Sequence, residues 1–230
     1  MGCTQARVID TGANLVAYKH IIWDWNGTLL DDAWLSVEIT GQMLQRRSLP
    51  QLSQQRYQEV FGFPLQEYCA RLGFDLEAES FAALSDEFIL SYERRRLECS
   101  LQPHAVAVLQ AINRAGLEQS ILSAYRHRTL LELIVHFHLE DFFVAANGVD
   151  NDRGEGKIAN ARRWLEKLSL PRNQIVLVGD TLHDLEVSQA MGVDCILLTG
   201  GHQSRSRLEA SGARVVGELT EVLALLEKKL

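Results

Sequence analysis

Residues 20–28 read HIIWDWNGT, in which a short apolar run ends at Asp24 and is followed closely by a glycine and a threonine. Runs of this length that are apolar throughout are typical of strands buried on both faces of a sheet. Similar runs, each ending in small or polar residues, recur at 120–123, 142–145, 175–180 and 195–199. These runs predict the strands of a parallel sheet.

The segments between the later runs have the apolar spacing of helices, and several are followed by glycine. They lie at 106–115, 129–137, 158–168 and 185–191. Strands that alternate with helices form a parallel sheet with helices on both sides. The predicted fold class is therefore α/β, a three-layer Rossmann-like sheet.

Residues 32–102 contain no comparable strand-like run. Their apolar spacing predicts helices near 34–47, 53–60, 65–72 and 77–97. Pro103, which precedes another helical pattern, is typical of a helix start and marks the return to the sheet. We therefore expect an α/β core formed by 1–32 and 103–230, with a helical insertion at 33–102.

The composition excludes several classes of protein. The chain has 230 residues, 47% of them hydrophobic, and a formal net charge of −7, which disfavours non-specific binding to nucleic acid or anionic lipid. The first residues lack the basic and apolar regions of a secretion signal, and no stretch is long enough to cross a bilayer. The cysteines, at positions 3, 69, 99 and 195, lack zinc-ligand spacing and are too few for a disulfide framework. We expect a cytoplasmic protein.

Polar residues follow three of the predicted strands: Asp24, Ser123 and Asp180, with Asp184 one helical turn further on. In open parallel sheets, ligands bind outside the carboxyl ends of the strands. Two carboxylates from separate strands can hold a hard divalent cation, which is usually Mg²⁺ in phosphate chemistry. Each aspartate by itself is equally well explained as a solvated strand end.

Four stretches together resemble the ordered motifs of the haloacid dehalogenase superfamily: Asp24-Trp25-Asn26-Gly27-Thr28, Ser123, Lys157, and Gly179-Asp180-Thr181-Leu182-His183-Asp184. The resemblance spans nearly the whole chain. It is strongest to the phosphoglycolate-phosphatase-like branch, in which a helical cap follows the first motif. The insertion at 33–102 would be that cap.

The resemblance implies a role for each matching residue. Asp24 would attack phosphorus and become an aspartyl phosphate. Mg²⁺ would be held by Asp24, the backbone carbonyl of Asn26 and Asp180, with Asp184 as a ligand, a water anchor or a supporting group. The phosphate-binding residues would be Thr28, Ser123, Ala124 and Lys157. Without the other motifs, Ser123 is explained as a strand-end hydroxyl and Lys157 as a solvated loop lysine.

Asn26 departs from the pattern, because most phosphatases of this superfamily have a second aspartate two positions after the nucleophile. That aspartate protonates the leaving group and then activates water. An amide cannot donate or remove a proton at useful pH, although its backbone carbonyl can still bind metal. Lost acid/base catalysis typically costs about 10² to 10⁴ in rate.

Three explanations of Asn26 remain open. Another group, such as His183 or His202, supplies the acid/base. Alternatively, the substrate has a good leaving group, as in an acyl phosphate, a nucleotide or pyrophosphate. In the third explanation, the chain is a non-catalytic or very slow regulatory protein that binds a phosphorylated metabolite. A phosphonate-cleaving enzyme is disfavoured because 33–102 contains no lysine for a Schiff base, and a mutase would need the missing acid twice.

Substrate selection would fall to the cap and to the loop after Ser123. The cap arginines, at 46, 47, 56, 71, 94, 95 and 96, are candidates for a second anion, although a solvated helix face is the simpler interpretation. We expect its aromatic residues, at 61, 63, 68 and 74, to pack the cap core rather than stack on a ligand. Of Tyr125, Arg126 and His127, Arg126 is the best candidate for substrate contact.

The sequence thus predicts a cytoplasmic, Mg²⁺-dependent phosphoric monoester hydrolase that acts on a small phosphorylated metabolite. Phosphoglycolate is the substrate that the resemblance suggests. The protein would be a monomer or a small homo-oligomer, and the alternative is the regulatory protein described above.

Overall fold

The computed structural model describes residues 18–150 and 156–227. The strands are β1 His20–Trp23, β2 Leu30–Asp31, β3 Ser100–Leu101, β4 Glu118–Arg126, β5 Ala145–Val149, β6 Ile175–Gly179, β7 Asp194–Leu198 and β8 Arg214–Val216. Six of them form one sheet in the order β5-β4-β1-β6-β7-β8, and all of its pairings are parallel. The predicted parallel sheet is confirmed.

Helices α1 to α4 lie between β2 and β3, and the later helices alternate with the strands of the sheet. The bounds are α1 Ala33–Arg46, α2 Gln54–Val60, α3 Leu65–Arg71, α4 Phe81–Arg95, α5 Ala105–Arg114, α6 His127–His136, α7 Lys157–Leu168, α8 Leu182–Met191, α9 Arg205–Ala210 and α10 Leu219–Glu227. We refer to residues 33–95 as the helical segment.

The sheet is buried on both faces, as its continuous apolar strands predict. In β1, Ile21 and Trp23 pack in one apolar cluster with α5, α6 and α10. Ile22, between them, faces the opposite cluster with α7 and α8. The alternation follows from the strand period of two residues, and it gives the three-layer α/β architecture.

A short two-stranded ribbon joins the helical segment to the sheet. In it, Leu30 and Asp31 of β2 pair antiparallel with Leu101 and Ser100 of β3. The backbone N–H of Gln102 also donates to the carbonyl of Leu29 at 2.8 Å. The chain therefore leaves the core and returns to it through two short strands that are hydrogen-bonded to each other.

The helical segment also contacts the loop that follows β7 and the helix α9 after it. Arg207 donates to the carbonyl oxygens of Gln58 at 3.1 Å and Phe61 at 2.6 Å, and Gln203 donates to that of Phe61 at 3.0 Å. The backbone N–H of Ser204 donates to the Gln58 carbonyl at 3.1 Å. These hydrogen bonds hold α2 against the carboxyl edge of the sheet.

The predicted strand at 142–145 is wrong in position. Residues 140–142 form a 3₁₀ turn, and β5 begins only at Ala145. Phe142 and Phe143 are apolar because they pack against the main core, and an apolar run alone does not distinguish a strand from another buried segment. As the edge strand, β5 is less apolar, with the sequence AANGV.

Other predicted boundaries differ slightly. The ribbon and β8 were not predicted, because each strand is only two or three residues long. Helix α5 begins at Ala105, so Pro103 lies just before the helix rather than at its first position. Along the described parts of the chain, no helix is both long and apolar enough to cross a bilayer. The expectation for the first residues falls on 1–17, outside the described part.

Candidate active site

The residues of the four motifs meet at the carboxyl edge of the sheet. Asp24 directly follows β1, and Asp180 directly follows β6. Ser123 lies in β4 immediately after Leu122, where the regular pairing with β5 is interrupted. Lys157 is the first residue of α7. The carboxyl ends of neighbouring parallel strands bring these distant positions together.

Three buried carboxylates surround one point. Asp24, Asp180 and Asp184 each offer an oxygen atom, and these atoms lie within 4.8 Å of one another. The ammonium group of Lys157 donates to Asp24 Oδ1 at 2.5 Å and to Asp184 Oδ1 at 2.6 Å. Closely spaced carboxylate oxygens are the donor set that a hard cation such as Mg²⁺ prefers, so these residues fit the ion that the family implies.

Asp180 is held in place from two directions. Its Oδ1 accepts from the Thr28 hydroxyl at 3.0 Å, and its Oδ2 accepts from the backbone N–H of His202 at 2.7 Å. A Cβ atom on Gly201 would lie 2.2 Å from the same Oδ2, so only glycine allows this approach. Thr28 itself is buried and does not line the cavity above the site, so its hydroxyl positions Asp180, and its predicted phosphate contact stays a prediction.

Asp184 is fixed at the start of α8. Its Oδ2 accepts from the backbone N–H of Thr181 at 3.0 Å and from the Thr181 hydroxyl at 2.7 Å. Its other oxygen faces Lys157. Both oxygens are therefore engaged, which suits a group that orients its neighbours as well as a metal ligand.

Burial and crowding change the acidity of this cluster. Burial, with Asp184 and Asp180 nearby, raises the pKa of Asp24 to about 8 despite the contact with Lys157. Burial, together with Asp184, also raises the pKa of Asp180 to about 6. Burial alone would raise the pKa of Asp184 too, but Lys157 and the Thr181 hydroxyl hold it below its usual range. Without a divalent cation, the cluster therefore retains protons near neutral pH.

Mg²⁺ binding should consequently release protons. A carboxyl group must be ionised to bind the ion, and the pKa values of Asp24 and Asp180 lie near 8 and 6. We expect the apparent Mg²⁺ affinity to rise with pH between 6 and 8, by up to about tenfold per pH unit for each proton released. Calorimetric titration in buffers of different ionisation enthalpy measures this release. An affinity that is independent of pH over this range would contradict the arrangement.

Asn26 is held by a network that includes a residue the sequence analysis did not select. Its side-chain amide donates to Asp32 Oδ2 and to the Tyr92 hydroxyl, both at 2.8 Å. Asp32, which is 1% exposed, also accepts from the Tyr92 hydroxyl at 2.7 Å and from the backbone N–H of Gly27 at 2.8 Å. Asp32 therefore orders the loop that carries Asn26. The acidic pair Asp31-Asp32 beside the first motif was the available signal.

The two candidate histidines have different surroundings. His202 is buried, with Nε2 at 3.3 Å from Asp32 Oδ1 and Nδ1 at 2.7 Å from the Tyr57 hydroxyl. Burial alone would lower its pKa, but Asp32 and Asp180 raise the pKa of His202 to about 9. His183 is partly exposed, and its ring stacks on Phe63 with a centroid distance of 4.5 Å. Both line the cavity above Asp24.

A cavity of about 200 Å³ extends from Asp24 into the helical segment. Ser123, Ala124 and Lys157 line it, and their predicted binding of phosphate stays a prediction; Tyr125 and Arg126 also line it. His127 is absent from the described lining; its ring accepts from the backbone N–H of Gly148 at 3.3 Å.

The cap arginines do not reach this cavity. None of the seven is among its described lining residues. Their partners are surface carboxylates in pairs such as Arg47 with Glu79 and Arg95 with Glu38, while Arg94 is exposed. The solvated-face interpretation is therefore the better one. The aromatic residues at 61, 63, 68 and 74 contact one another or the core, and they also line the cavity.

Comparisons with known proteins identify the family of this chain. The family profile described as haloacid dehalogenase-like hydrolase matches residues 21–198, and this chain belongs to that family. A phosphoglycolate phosphatase of Rhodobacter capsulatus is 24% identical over 191 residues, which cover 80% of this chain and 85% of the relative. A tyrosine-protein kinase, PtkA of Mycobacterium tuberculosis, is 23% identical over 210 residues, which cover 90% and 71%.

Solved structures confirm the fold. A predicted phosphatase from Clostridium acetobutylicum superposes with a TM-score of 0.76 at 21% identity, covering 92% of this chain and 98% of the other. The structure of PtkA from Mycobacterium tuberculosis gives a TM-score of 0.75 at 22% identity, covering 91% and 98%. The resemblance found in the sequence is thus confirmed at the level of the family.

Proposed function

We propose that this chain is a Mg²⁺-dependent phosphatase that hydrolyses a small phosphate monoester through an aspartyl phosphate on Asp24. The observation that carries the proposal is the buried contact of Lys157 with Asp24 and Asp184 beside Asp180. Three buried carboxylates beside one lysine leave negative charge without a partner, and each uncompensated buried charge costs several kcal/mol. A bound divalent cation would balance the excess negative charge, and the cation together with Lys157 would attract a phosphate group.

The ion would be held by Asp24, Asp180, the backbone carbonyl of Asn26 and Asp184. When bound, it supplies positive charge between the nucleophile and the phosphoryl oxygens. Lys157 adds a second positive group that already contacts Asp24 Oδ1. Ser123 and Ala124 would bind phosphoryl oxygens, since both line the base of the cavity.

Asp24 would be the nucleophile, and its carboxylate would attack the phosphorus atom. One oxygen of Asp24 forms a bond to the phosphorus atom while the bond to the leaving oxygen breaks. Water then cleaves the acyl phosphate, which restores Asp24 and releases inorganic phosphate. Asn26 donates hydrogen bonds to Asp32 and Tyr92 and so holds the loop in shape, but it supplies no proton. His202 and His183 remain the candidates for moving protons, because both line the cavity.

The helical segment would be the cap of this enzyme, with the core at 1–32 and 103–230 and the cap at 33–102. It covers the carboxyl edge of the sheet and contributes much of the cavity lining. In enzymes built this way, the cap selects the leaving group and excludes water. We propose a cytoplasmic setting for the reaction, in line with Cys69, Cys99 and Cys195, which form no disulfide within the described residues.

A regulatory protein that binds a phosphorylated metabolite without efficient turnover is the second candidate. Asn26 favours it, because its amide is engaged by Asp32 and Tyr92 and cannot perform acid/base catalysis. The two candidates differ in whether phosphate is released. Both require Mg²⁺ and phosphate to bind at the same place.

Phosphate release from phosphate monoesters, acyl phosphates and pyrophosphate, with Mg²⁺ and with a chelator, separates the two candidates. We expect Mg²⁺-dependent release by the wild type. Asn26→Asp should increase the rate on poor leaving groups by about 10- to 100-fold, a part of what an acid/base contributes. If the wild type releases phosphate from none of these compounds but binds a metabolite tightly, the regulatory protein is favoured.

The structure suggests a matched variant for that experiment. In Asn26→Asp, a second carboxylate would lie about 2.8 Å from Asp32, which raises the pKa of one of the two groups. The double variant Asn26→Asp/Asp32→Asn exchanges the amide and the carboxylate, so the donor and acceptor pair is kept. A gain in the double variant alone would mean that Asp32 had opposed the new acid.

A further inference from the structure

We infer that the substrates of this site are aryl phosphate monoesters, in which the phosphate is attached directly to an aromatic ring. The inference rests on the proposed phosphatase function and adds the class of leaving group. Two independent features carry it: the lining of the cavity in the helical segment and the amide at position 26.

The helical segment lines its part of the cavity with aromatic and aliphatic side chains. These side chains include Phe61, Phe63, Phe74, Phe81, Phe88 and Ile89. Aromatic rings bury large apolar areas and favour stacked or edge-on contact with another ring. A flat aromatic leaving group would replace water against these surfaces.

The part of the cavity lined by the helical segment is poorly suited to a leaving group that carries a carboxylate, such as that of phosphoglycolate. The described lining includes no lysine or arginine from the helical segment. At the base, Lys157 is held by Asp24 and Asp184, and His202 lies against Asp32. Burial of a second anion without a partner is costly. Arg126, at the end of β4, also lines the cavity, but it belongs to the sheet rather than to the helical segment.

The amide at position 26 selects for the same class by a different route. Asn26 cannot protonate a departing oxygen. A phenol has a pKa of about 10, as in tyrosine, which is far below that of an alkyl alcohol. A phenolate can therefore leave unprotonated at an acceptable rate, whereas an alkoxide cannot.

The reaction balances without an acid in the first step. Asp24 forms the acyl phosphate as the bond between phosphorus and the aryl oxygen breaks, and the electron pair leaves with the phenolate. The phenolate takes a proton from solvent. Water then adds to the aspartyl phosphate, so the products are a phenol and inorganic phosphate.

Three phosphate esters and one acyl phosphate separate ring recognition from leaving-group acidity when phosphate release is measured with Mg²⁺. In 1-naphthyl phosphate, the leaving group is aromatic and acidic, whereas benzyl phosphate is aromatic with a poor leaving group. Acetyl phosphate has a good but small leaving group, and phosphoglycolate has a poor, charged one. We expect the highest kcat/KM for 1-naphthyl phosphate, at least about tenfold above benzyl phosphate and phosphoglycolate, and a KM at least about tenfold below that of acetyl phosphate.

A pair of adjacent substitutions tests the cavity itself. Ile89 lines it, whereas Leu90, the next residue of α4, is 55% exposed and absent from the described lining. Ile89→Arg should raise KM for 1-naphthyl phosphate by about tenfold and lower KM for phosphoglycolate. Leu90→Arg should change neither by more than about twofold.

The outcomes distinguish the two proposals. Release from none of the esters would overturn the phosphatase function and this inference with it. Release from phosphoglycolate with a higher kcat/KM than 1-naphthyl phosphate would overturn the inference alone. Equal rates on benzyl and 1-naphthyl phosphate would overturn the aryl assignment.

A phosphotyrosine peptide added to the series decides the source of the ring: a higher kcat/KM than 1-naphthyl phosphate supports a protein side chain, and a lower one a small molecule. Because the esters are compared on the wild type, the test does not depend on any variant folding.

Discussion

Asp24→Asn is expected to lower the rate of phosphate release by at least about 10⁴-fold, the scale of loss seen when a covalent nucleophile is removed. The amide keeps the size of the carboxylate but cannot form the acyl phosphate. The variant should nevertheless fold. Burial raises the pKa of Asp24 to about 8, so the ionised carboxylate opposes folding, and a neutral group in its place removes that cost.

Steady-state phosphate release with Mg²⁺ measures the first expectation, and thermal unfolding in metal-free buffer measures the second. We expect the midpoint of unfolding to be no lower than that of the wild type. Asp86→Asn is a suitable control, because Asp86 is exposed on α4 and absent from the described cavity lining. Activity within about tenfold of the wild type in Asp24→Asn would show that another group forms the bond to phosphorus.

Lys157→Met should lower both stability and activity. The side chain is 3% exposed and contacts two carboxylates, so its loss leaves Asp24 and Asp184 buried without a positive partner. Breaking a buried pair in this way costs about 3–5 kcal/mol of unfolding free energy. The loss of a positive group beside the phosphate should lower kcat by about 10² to 10³.

Mg²⁺ provides a specific test of that explanation. Because the ion would supply positive charge to the same carboxylates, the stability lost in Lys157→Met should be partly restored by Mg²⁺ in denaturant titrations, while kcat stays low. Lys167→Met, at an exposed position of the same helix, should change neither property. A stability loss that Mg²⁺ leaves unchanged would mean that packing, rather than charge, is the cause.

The sheet and most of the site residues could be predicted because they depend on local patterns. Apolar runs such as 175–180 correspond to strands that are buried on both faces, and a polar residue directly after such a run lies at the ligand-binding edge. Asp24, Ser123 and Asp180 were found in this way, whereas Lys157 was implied by the resemblance to the family. The edge strand β5 was misplaced because its own residues are small and polar, while the apolar pair Phe142 and Phe143 packs outside it.

The network around Asn26 could not be predicted, because its partners are far apart in the sequence. Tyr92 lies 60 residues after Asp32, and Tyr57 lies 145 residues before His202. No local period or spacing encodes these hydrogen bonds. For the cap arginines, the sequence favoured a solvated helix face over binding of a second anion, and surface pairs such as Arg47 with Glu79 and Arg95 with Glu38 agree with that interpretation.

The ribbon of β2 and β3 links the helical segment to the loop that carries Asn26. Asp32 directly follows β2, and its carboxylate holds both Asn26 and the backbone of Gly27. A rotation of the segment about the ribbon would displace this carboxylate and loosen the loop beside the nucleophile. Contacts between a leaving group and the helical segment would therefore also stabilise this loop. Binding energy from groups distant from phosphorus would in this way lower the barrier to the reaction.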